Sequence, residues 1–504
     1  MKRTAHILLS LSILIIAGGC KKFLNEEPLS QVPVENYFTK LKDINAAVTG
    51  MYASFQDEMT GDGSGNGNYF YWGEGRSDNF DRSQYANSII TELSLNQLTS
   101  GNTTADWSGL YRTINRANLC IKQIPEVQKY DLNVTNLIRD NNLAQCYAMR
   151  AICYFYIVRV WGDAVIRTEP YESITEDAHV PRESKDKIIN ELIIPDLQKA
   201  YTLIQKNQKP IVWNIGEGAI AAMLADVYMW KKDYAAAITW IKNVFAAKGS
   251  LGTVFTGTTG ASLEPAATWK NLFINPTTTN EAIWSIHWDQ LQNECACLPI
   301  SIANSNNPIR VDSVLHTNWK TTTADIRVSK SYDTLTGTGH VDKVVKYYTI
   351  TGNAFPTGSG APDARSYNVY LTMYRLGDIY LSYAEALNKT GDRTNALKYL
   401  NFIRVRAGLT AYLITDPAVA TESDLEDTIL KERQLELFAE GKRWFDLVRT
   451  DHVKKIMDPV LTIRQQRYGA PAVGFGDDQR KLVWPIHRQV IENNRTIEQN
   501  LPYN

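Results

Sequence analysis

Two stretches of this chain carry the same helix–turn–helix pattern, and that repetition limits the fold more than any other feature. Gly218 to Phe245 places Leu224, Ala225, Tyr228, Tyr234, Ala237, Ile238 and Ile241 at helical spacing. Tyr380 to Ile403 does the same with Ala384, Leu387, Ala396, Leu397, Leu400 and Ile403. In each, an alanine of the first helix is followed twelve residues later by an alanine of the second: Ala225 to Ala237, and Ala384 to Ala396. Small residues at matched positions let two helices approach closely. Asp233 and Gly391 occupy the turns.

This unit resembles the tetratricopeptide repeat, which gains a continuous core only by stacking. Further helices are expected over Glu35 to Gln56, Trp107 to Val127, Leu137 to Trp161 and Ser184 to Gln205. Ala151 and Tyr154 fit the first half of a unit, with an irregular insertion after Gly162. A last helix, Asp424 to Arg449, fits loosely. Residues 61–84 read as a Gly/Asn-rich loop. From about 250 to 365 Gly, Thr, Asn, Pro and Ser dominate, broken by strand-like runs at Ala282 to Trp288 and Val344 to Ile350. Loops this long usually carry function.

The N-terminus points to export. Lys2 and Arg3 precede an apolar run from Ile7 to Ile16, then Ala17, Gly18, Gly19 and Cys20. The run is too short to span a bilayer, which needs roughly 20 apolar residues. Small residues before a cysteine suit a lipoprotein signal, with Cys20 the thiol that takes the lipid. The alternative is an ordinary signal peptide with a chance cysteine. The reading is residues 1–19 as signal peptide, 20–34 as lipidated tether, and 35–504 as one domain. Its helical scaffold lies at about 35–60, 105–245 and 370–450, with excursions at 61–104 and 250–365.

Composition excludes some classes. Lys plus Arg number 53 and Asp plus Glu 54, so the basic excess of a nucleic-acid binder is missing. The remaining cysteines, Cys120, Cys146, Cys153, Cys295 and Cys297, show no CxxC. Cys146 and Cys153, seven apart on one helix, read as buried small hydrophobes. No disulfide framework, structural metal or cofactor is expected.

Enzyme motifs (HExxH, GxSxG, a phosphate-binding loop) are missing from the sequence. Glu432, Glu436 and Glu440 fall on one predicted helical face near Arg433 and Arg443, a salt-bridged packing or capping network rather than an acid/base pair. Asp62, Ser64, Asn66 and Gly67 imitate the start of a calcium loop, but Gly73 stands where the bidentate acid belongs and Glu74 comes one residue late.

The same loop holds Tyr69, Phe70, Tyr71 and Trp72, then Glu74, Arg76, Asp78 and Asn79. Flat aromatics receive the apolar faces of sugar rings, and Asp, Asn and Arg take the hydroxyls. The expected ligand surface joins 61–84 to part of 282–320. Tyr71 and Trp72 are its platforms, Arg76, Asp78 and Asn79 its hydroxyl partners, and Trp288 and Trp319 further contacts. The competing reading is that Trp72 plugs the core and Asp78 and Asn79 cap local backbone. For Trp284, Trp288 and Trp319, packing is an equal alternative.

Nearly the whole mature chain resembles the SusD/RagB family of surface lipoproteins of Bacteroidota. The similarity runs through Cys20-Lys21-Lys22-Phe23-Leu24-Asn25-Glu26-Glu27-Pro28, Gly50-Met51-Tyr52, and the helix ending Ala384-Glu385-Ala386-Leu387-Asn388. The most specific segment is Glu432-Arg433-Gln434-Leu435-Glu436-Leu437-Phe438-Ala439-Glu440-Gly441-Lys442-Arg443-Trp444-Phe445-Asp446-Leu447-Val448-Arg449. The close, Trp484-Pro485-Ile486-His487 to Gln499-Asn500-Leu501-Pro502-Tyr503, departs from the family at His487 and Leu501.

The resemblance implies a mainly α fold: about four tetratricopeptide-like helix pairs in a right-handed superhelical scaffold, with an irregular, loop-rich ligand-binding half containing short strands. It also implies a non-enzymatic protein at the outer membrane, facing the cell exterior. Such a protein captures oligosaccharides for a TonB-dependent, SusC-like transporter. A peptide-capturing member and a glycan-cleaving surface lipoprotein are the alternatives.

Overall fold

The structure, a computed structural model, describes residues 37–60, 67–172, 176–293, 298, 307–335, 343–349 and 367–503. Cys20, the tether, Asp62, Ser64, Asn66, Cys295 and Cys297 lie outside the described residues.

The molecule is mainly helical. The elements used below are α1 (Leu41–Thr60), α2 (Asn68–Gly73), β1 (Phe80–Arg82), α3 (Ser88–Leu95), α4 (Ser108–Val127) and α5 (Asn136–Trp161). A π-helical turn, Ile189–Ile193, joins Lys185–Ile188 to Ile194–Leu203 (α6). Then come α7 (Glu217–Trp230), α8 (Tyr234–Ala246), β2 (Ala282–Trp288), β3 (Ile309–Val311), α9 (Ser313–Lys320) and β4 (Val369–Arg375). The last are α10 (Leu376–Lys389), α11 (Arg393–Arg406), α12 (Glu422–Glu436), α13 (Arg443–Arg449) and α14 (Val453–Arg467).

The two repeated units close with one turn design. After α7, Lys232 takes a left-handed conformation (φ 60°), and Asp233 N–H donates to the Tyr228 carbonyl at 3.0 Å. After α10, Gly391 does so (φ 87°), and Asp392 N–H donates to the Leu387 carbonyl at 2.8 Å. Each is a helix-ending motif that satisfies orphan carbonyls. Asp233 and Asp392 then cap the next helices, accepting from Ala236 and Asn395 N–H. Ala225, Ala237, Ala384 and Ala396 are all buried. This geometry is compatible with the repeat reading. Helix α5 is buried along nearly its whole C-terminal half, Cys146 and Cys153 included. Among the described residues no helix is long and apolar enough to cross a membrane.

Two antiparallel ribbons lie in the irregular region. β1 pairs with β3, Phe80 opposite Val311, which joins the 61–84 and 282–320 segments. β2 pairs with β4, His287 opposite Tyr370 and Trp288 opposite Val369.

Three sequence expectations need correction. The predicted Asp424–Arg449 helix is two helices: α12 ends at Glu436, and Ala439 and Gly441 turn the chain with positive φ. Glu440 therefore leaves the helical face, yet its carboxylate rejoins Glu436 at Arg375. Val344 forms only an isolated bridge with Tyr332, and the chain then turns. The reason is that Lys346 reaches the Glu440 carboxylate (2.6 Å) and Tyr347 the Ala439 carbonyl (2.6 Å). Finally, part of the 61–84 loop is the helix α2. Gly73 sits so close to Gly441 that a Cβ there would meet the Gly441 carbonyl oxygen at 2.1 Å.

Candidate functional site

The aromatic tetrad lies in the core. Tyr69, Phe70, Tyr71 and Trp72 are all buried on α2. Trp72 is fully enclosed; its indole N–H donates to the Thr104 carbonyl (2.8 Å) and its ring meets Trp161 edge to face at 5.3 Å. Tyr71 is equally covered. Neither presents a face on which a sugar could stack, so the platform expectation is replaced by the plug.

The expected hydroxyl partners are engaged internally. Arg76 is buried, with its guanidinium 4.1 Å from the Trp444 ring centroid and Nε donating to Asn96 (2.9 Å). Asp78 receives two hydrogen bonds from Arg443, at 2.7 and 2.9 Å. Asn79 donates to Glu74 (2.8 Å), and the same carboxylate accepts Gly441 N–H (3.0 Å). These contacts fasten the α2 region to the α12–α13 corner. Burial pushes the Glu74 carboxyl up to about 8. Glu74 is thus engaged as a structural acid by Asn79 and Gly441, and among the described residues no group of three or more His, Cys, Asp or Glu could hold a metal.

Trp288 is buried on β2. Trp319 is buried on α9, its N–H donating to Asp325 (2.9 Å) and its ring against Tyr332 and Phe438. Its edge and Asp78 reach a small depression of about 180 Å³ shared with Lys431 and Gln434.

A larger open cleft, about 530 Å³, lies elsewhere, between α1, the end of β2 and the turn around Trp213. Phe55 and Trp284 form its floor, their rings stacked 5.9 Å apart and 16° from parallel. His287 lies beside Trp213 (5.2 Å between centroids, 35°) and parallel to Tyr370 (4.7 Å, 5°). Three rings from separate segments thus form one aromatic cluster, with His287 parallel to Tyr370 and tilted against Trp213. Trp213 is 38% exposed, and His287 and Tyr370 are half-buried.

The cluster is firmly held. His287 and Tyr370 are direct cross-strand partners, the geometry in which ring pairs stabilise a ribbon. Ser285 N–H donates to the Val212 carbonyl (2.9 Å), fixing the Trp213 turn to β2. Ile215 N–H donates to the Tyr52 hydroxyl (2.8 Å), fixing it to α1. Gln56 donates to the His287 carbonyl. Burial pushes the His287 pKa down, against the pull of Asp289, which favours the neutral ring. Polar groups complete the walls: Thr49, Gln56, Asn214, Asp289, Gln292 and Asn293.

Reading the sequence identified the Ile283–Trp288 segment but not His287 as its half-exposed member, nor Trp213. The available signal was a Trp in a short turn bounded by Pro210 and Gly216.

Two family models match the chain: one described as the SusD family over residues 301–503, and one described as starch-binding, associating with the outer membrane, over residues 22–229. SusD-like protein P38 of Formosa agariphila is 27% identical across the full length of both chains. A SusD-like protein of Bacteroides ovatus is 24% identical, covering 88% of this chain and 81% of its own. Among solved structures, a SusD homolog from Bacteroides thetaiotaomicron superposes with a TM-score of 0.73 at 18% identity, covering 94% of this chain and 99% of that one. NanU of B. fragilis gives 0.71 at 20% identity, covering 95% and 100%. With matches to both halves and relatives aligned end to end, the chain belongs to the SusD family.

Proposed function

We propose that this chain is a cell-surface lipoprotein that captures oligosaccharides and passes them to a TonB-dependent outer-membrane transporter. The observation that carries the binding half is the Trp213–His287 ring pair lining an open cleft, with Tyr370 parallel to His287. A flat apolar surface edged by amides and hydroxyls matches a pyranose ring, whose faces are C–H and whose rim is hydroxyl. The family model described as starch-binding supports the ligand class. The role is binding rather than cleavage. Glycoside hydrolysis needs two carboxyl groups about 5–9.5 Å apart, and Asp289 is the one carboxylate among the described lining residues.

Cys20 carries the lipid in this reading, which places the protein on the outer membrane facing outward. The helical half forms the transporter interface. A binding screen of purified protein against polysaccharides and peptides tests the ligand class: saccharide binding is expected, and exclusive peptide binding would overturn it. Copurification in mild detergent should recover a transporter, and Cys20→Ala should release the protein from membranes where that transporter is deleted.

A further inference from the structure

We infer that the cleft selects uncharged oligosaccharides and discriminates against uronate- and sulfate-bearing ones. The inference rests on the cleft being the sugar site and adds the ligand's charge.

Among its described lining residues the cleft has no Lys or Arg. Asp289 is the one formally charged group, and it is negative. Its Oδ1 accepts Leu291 N–H at 2.9 Å, which fixes it at the start of the one-turn helix Gln290–Asn293. The His287 imidazole is closed in by two rings, and its Nε2 has no hydrogen-bond partner among the described residues. Its burial disfavours the protonated, cationic form.

The polar walls are Thr49, Gln56, Asn214, Gln292 and Asn293. Amides and hydroxyls both donate and accept, as sugar hydroxyls do, so an uncharged saccharide can be matched group for group. A carboxylate or sulfate ester would lose water without gaining a cation and would face Asp289. The molecule does not lack guanidinium groups. Arg327, Arg375, Arg406, Arg433 and Arg449 are buried and paired with internal carboxylates. They are committed to the scaffold and are not cleft-lining residues.

Calorimetry of the purified protein against malto-, cello-, xylo- and manno-oligosaccharides, and against oligogalacturonate and oligoalginate of equal length, tests this. The tightest ligand should be uncharged, by roughly tenfold or more, one decade being 1.4 kcal/mol. Its affinity should change less than about twofold between low and high salt, because no ion pair is there to be screened. Asp289→Asn keeps the cap acceptor and removes the charge. It should raise the ratio of oligogalacturonate affinity to uncharged-ligand affinity several-fold, and an unchanged ratio would count against the charge inference.

A uronate bound most tightly, lost in Trp213→Ala and weakened by salt, would overturn the charge inference while leaving the cleft as the site. Saccharide binding that Trp213→Ala leaves unchanged would overturn the cleft assignment, and the inference with it.

Discussion

His287 and Tyr370 face each other across the β2–β4 ribbon with their rings 5° from parallel and 4.7 Å apart. The pair makes an exposed aromatic surface rigid before any ligand arrives, and Trp213 extends it to the rim of the cleft. Prepaid order of this kind lowers the entropy lost on binding. Tyr370→Ala should therefore weaken saccharide binding by roughly tenfold through loss of the support under His287, which titration calorimetry would read. An unchanged affinity would mean that His287 is held without it.

Trp72→Ala should behave as a core deletion. It removes a fully buried indole and leaves the Thr104 carbonyl without its donor. A loss of about 3–5 kcal/mol of stability is expected in chemical denaturation, with saccharide affinity unchanged in the folded fraction. Full stability with lost affinity would restore the platform role.

Arg375 joins Glu281 to Glu436 and Glu440, two segments far apart in sequence. It reaches Glu281 at 2.8 Å, Glu436 at 2.6 Å and Glu440 at 2.8 Å, all buried. Arg375→Met would leave these acids short of countercharge, and breaking such a network costs about 3–5 kcal/mol. Double substitution with Glu440→Gln should recover part of that loss, measured by denaturation midpoint.

The pH response follows from this network together with the Arg433, Arg449, Lys442 and Arg443 ion pairs. Burial alone would push Glu436, Asp446, Asp378 and Asp78 up, but their guanidinium and ammonium partners outweigh it and hold each carboxyl below its ordinary range. Their folded pKa values lie below the unfolded ones, so their stabilisation is present above about pH 4.3 and is lost as pH falls below it. Glu74 has the opposite sign. Its raised pKa favours the fold at low pH, and that contribution is lost as pH rises toward 8. The lowered carboxyls outnumber the raised ones, Glu58, Glu74, Asp196 and Glu264, and predict a melting temperature that falls between pH 4 and 2. A flat profile over that window would contradict the network's role.

Much of the scaffold was legible because helix pairs announce themselves locally. The Ala225/Ala237 and Ala384/Ala396 spacings each lie within one short helix pair, and Asp233 lies three residues from the amide it caps. The β2 bounds match the expected run because Ala282 to Trp288 is an apolar stretch broken only by Ser285 and His287. The site was less legible because exposure is a tertiary property. Trp72 in a glycine-rich stretch and Trp213 in a turn carry the same local signal. Only the long-range contacts, with Trp161 and Thr104 for one and with His287 for the other, separate plug from platform. The acids Glu432, Glu436 and Glu440 were read correctly as a packing network, but the positive φ at Ala439 and Gly441 that breaks their helix is set by the close approach to α2.

That close approach gives a further test. A Cβ on Gly73 would stand 2.1 Å from the Gly441 carbonyl oxygen, which is backbone and cannot rotate away. Gly73→Ala should destabilise by about 1–3 kcal/mol, the usual cost of overpacking, with a matching drop in denaturation midpoint. An unchanged midpoint would show that the α2–Gly441 contact is looser than described.

The central claim is that the Trp213 cluster is where saccharide binds. Trp213→Ala tests it most directly when affinity and melting temperature are measured on one preparation. Trp213 is 38% exposed, so truncation should leave melting nearly unchanged. The loss of a stacking hot spot should weaken saccharide binding by about thirtyfold, or 2 kcal/mol. Intact affinity in a fully folded Trp213→Ala protein would contradict the account.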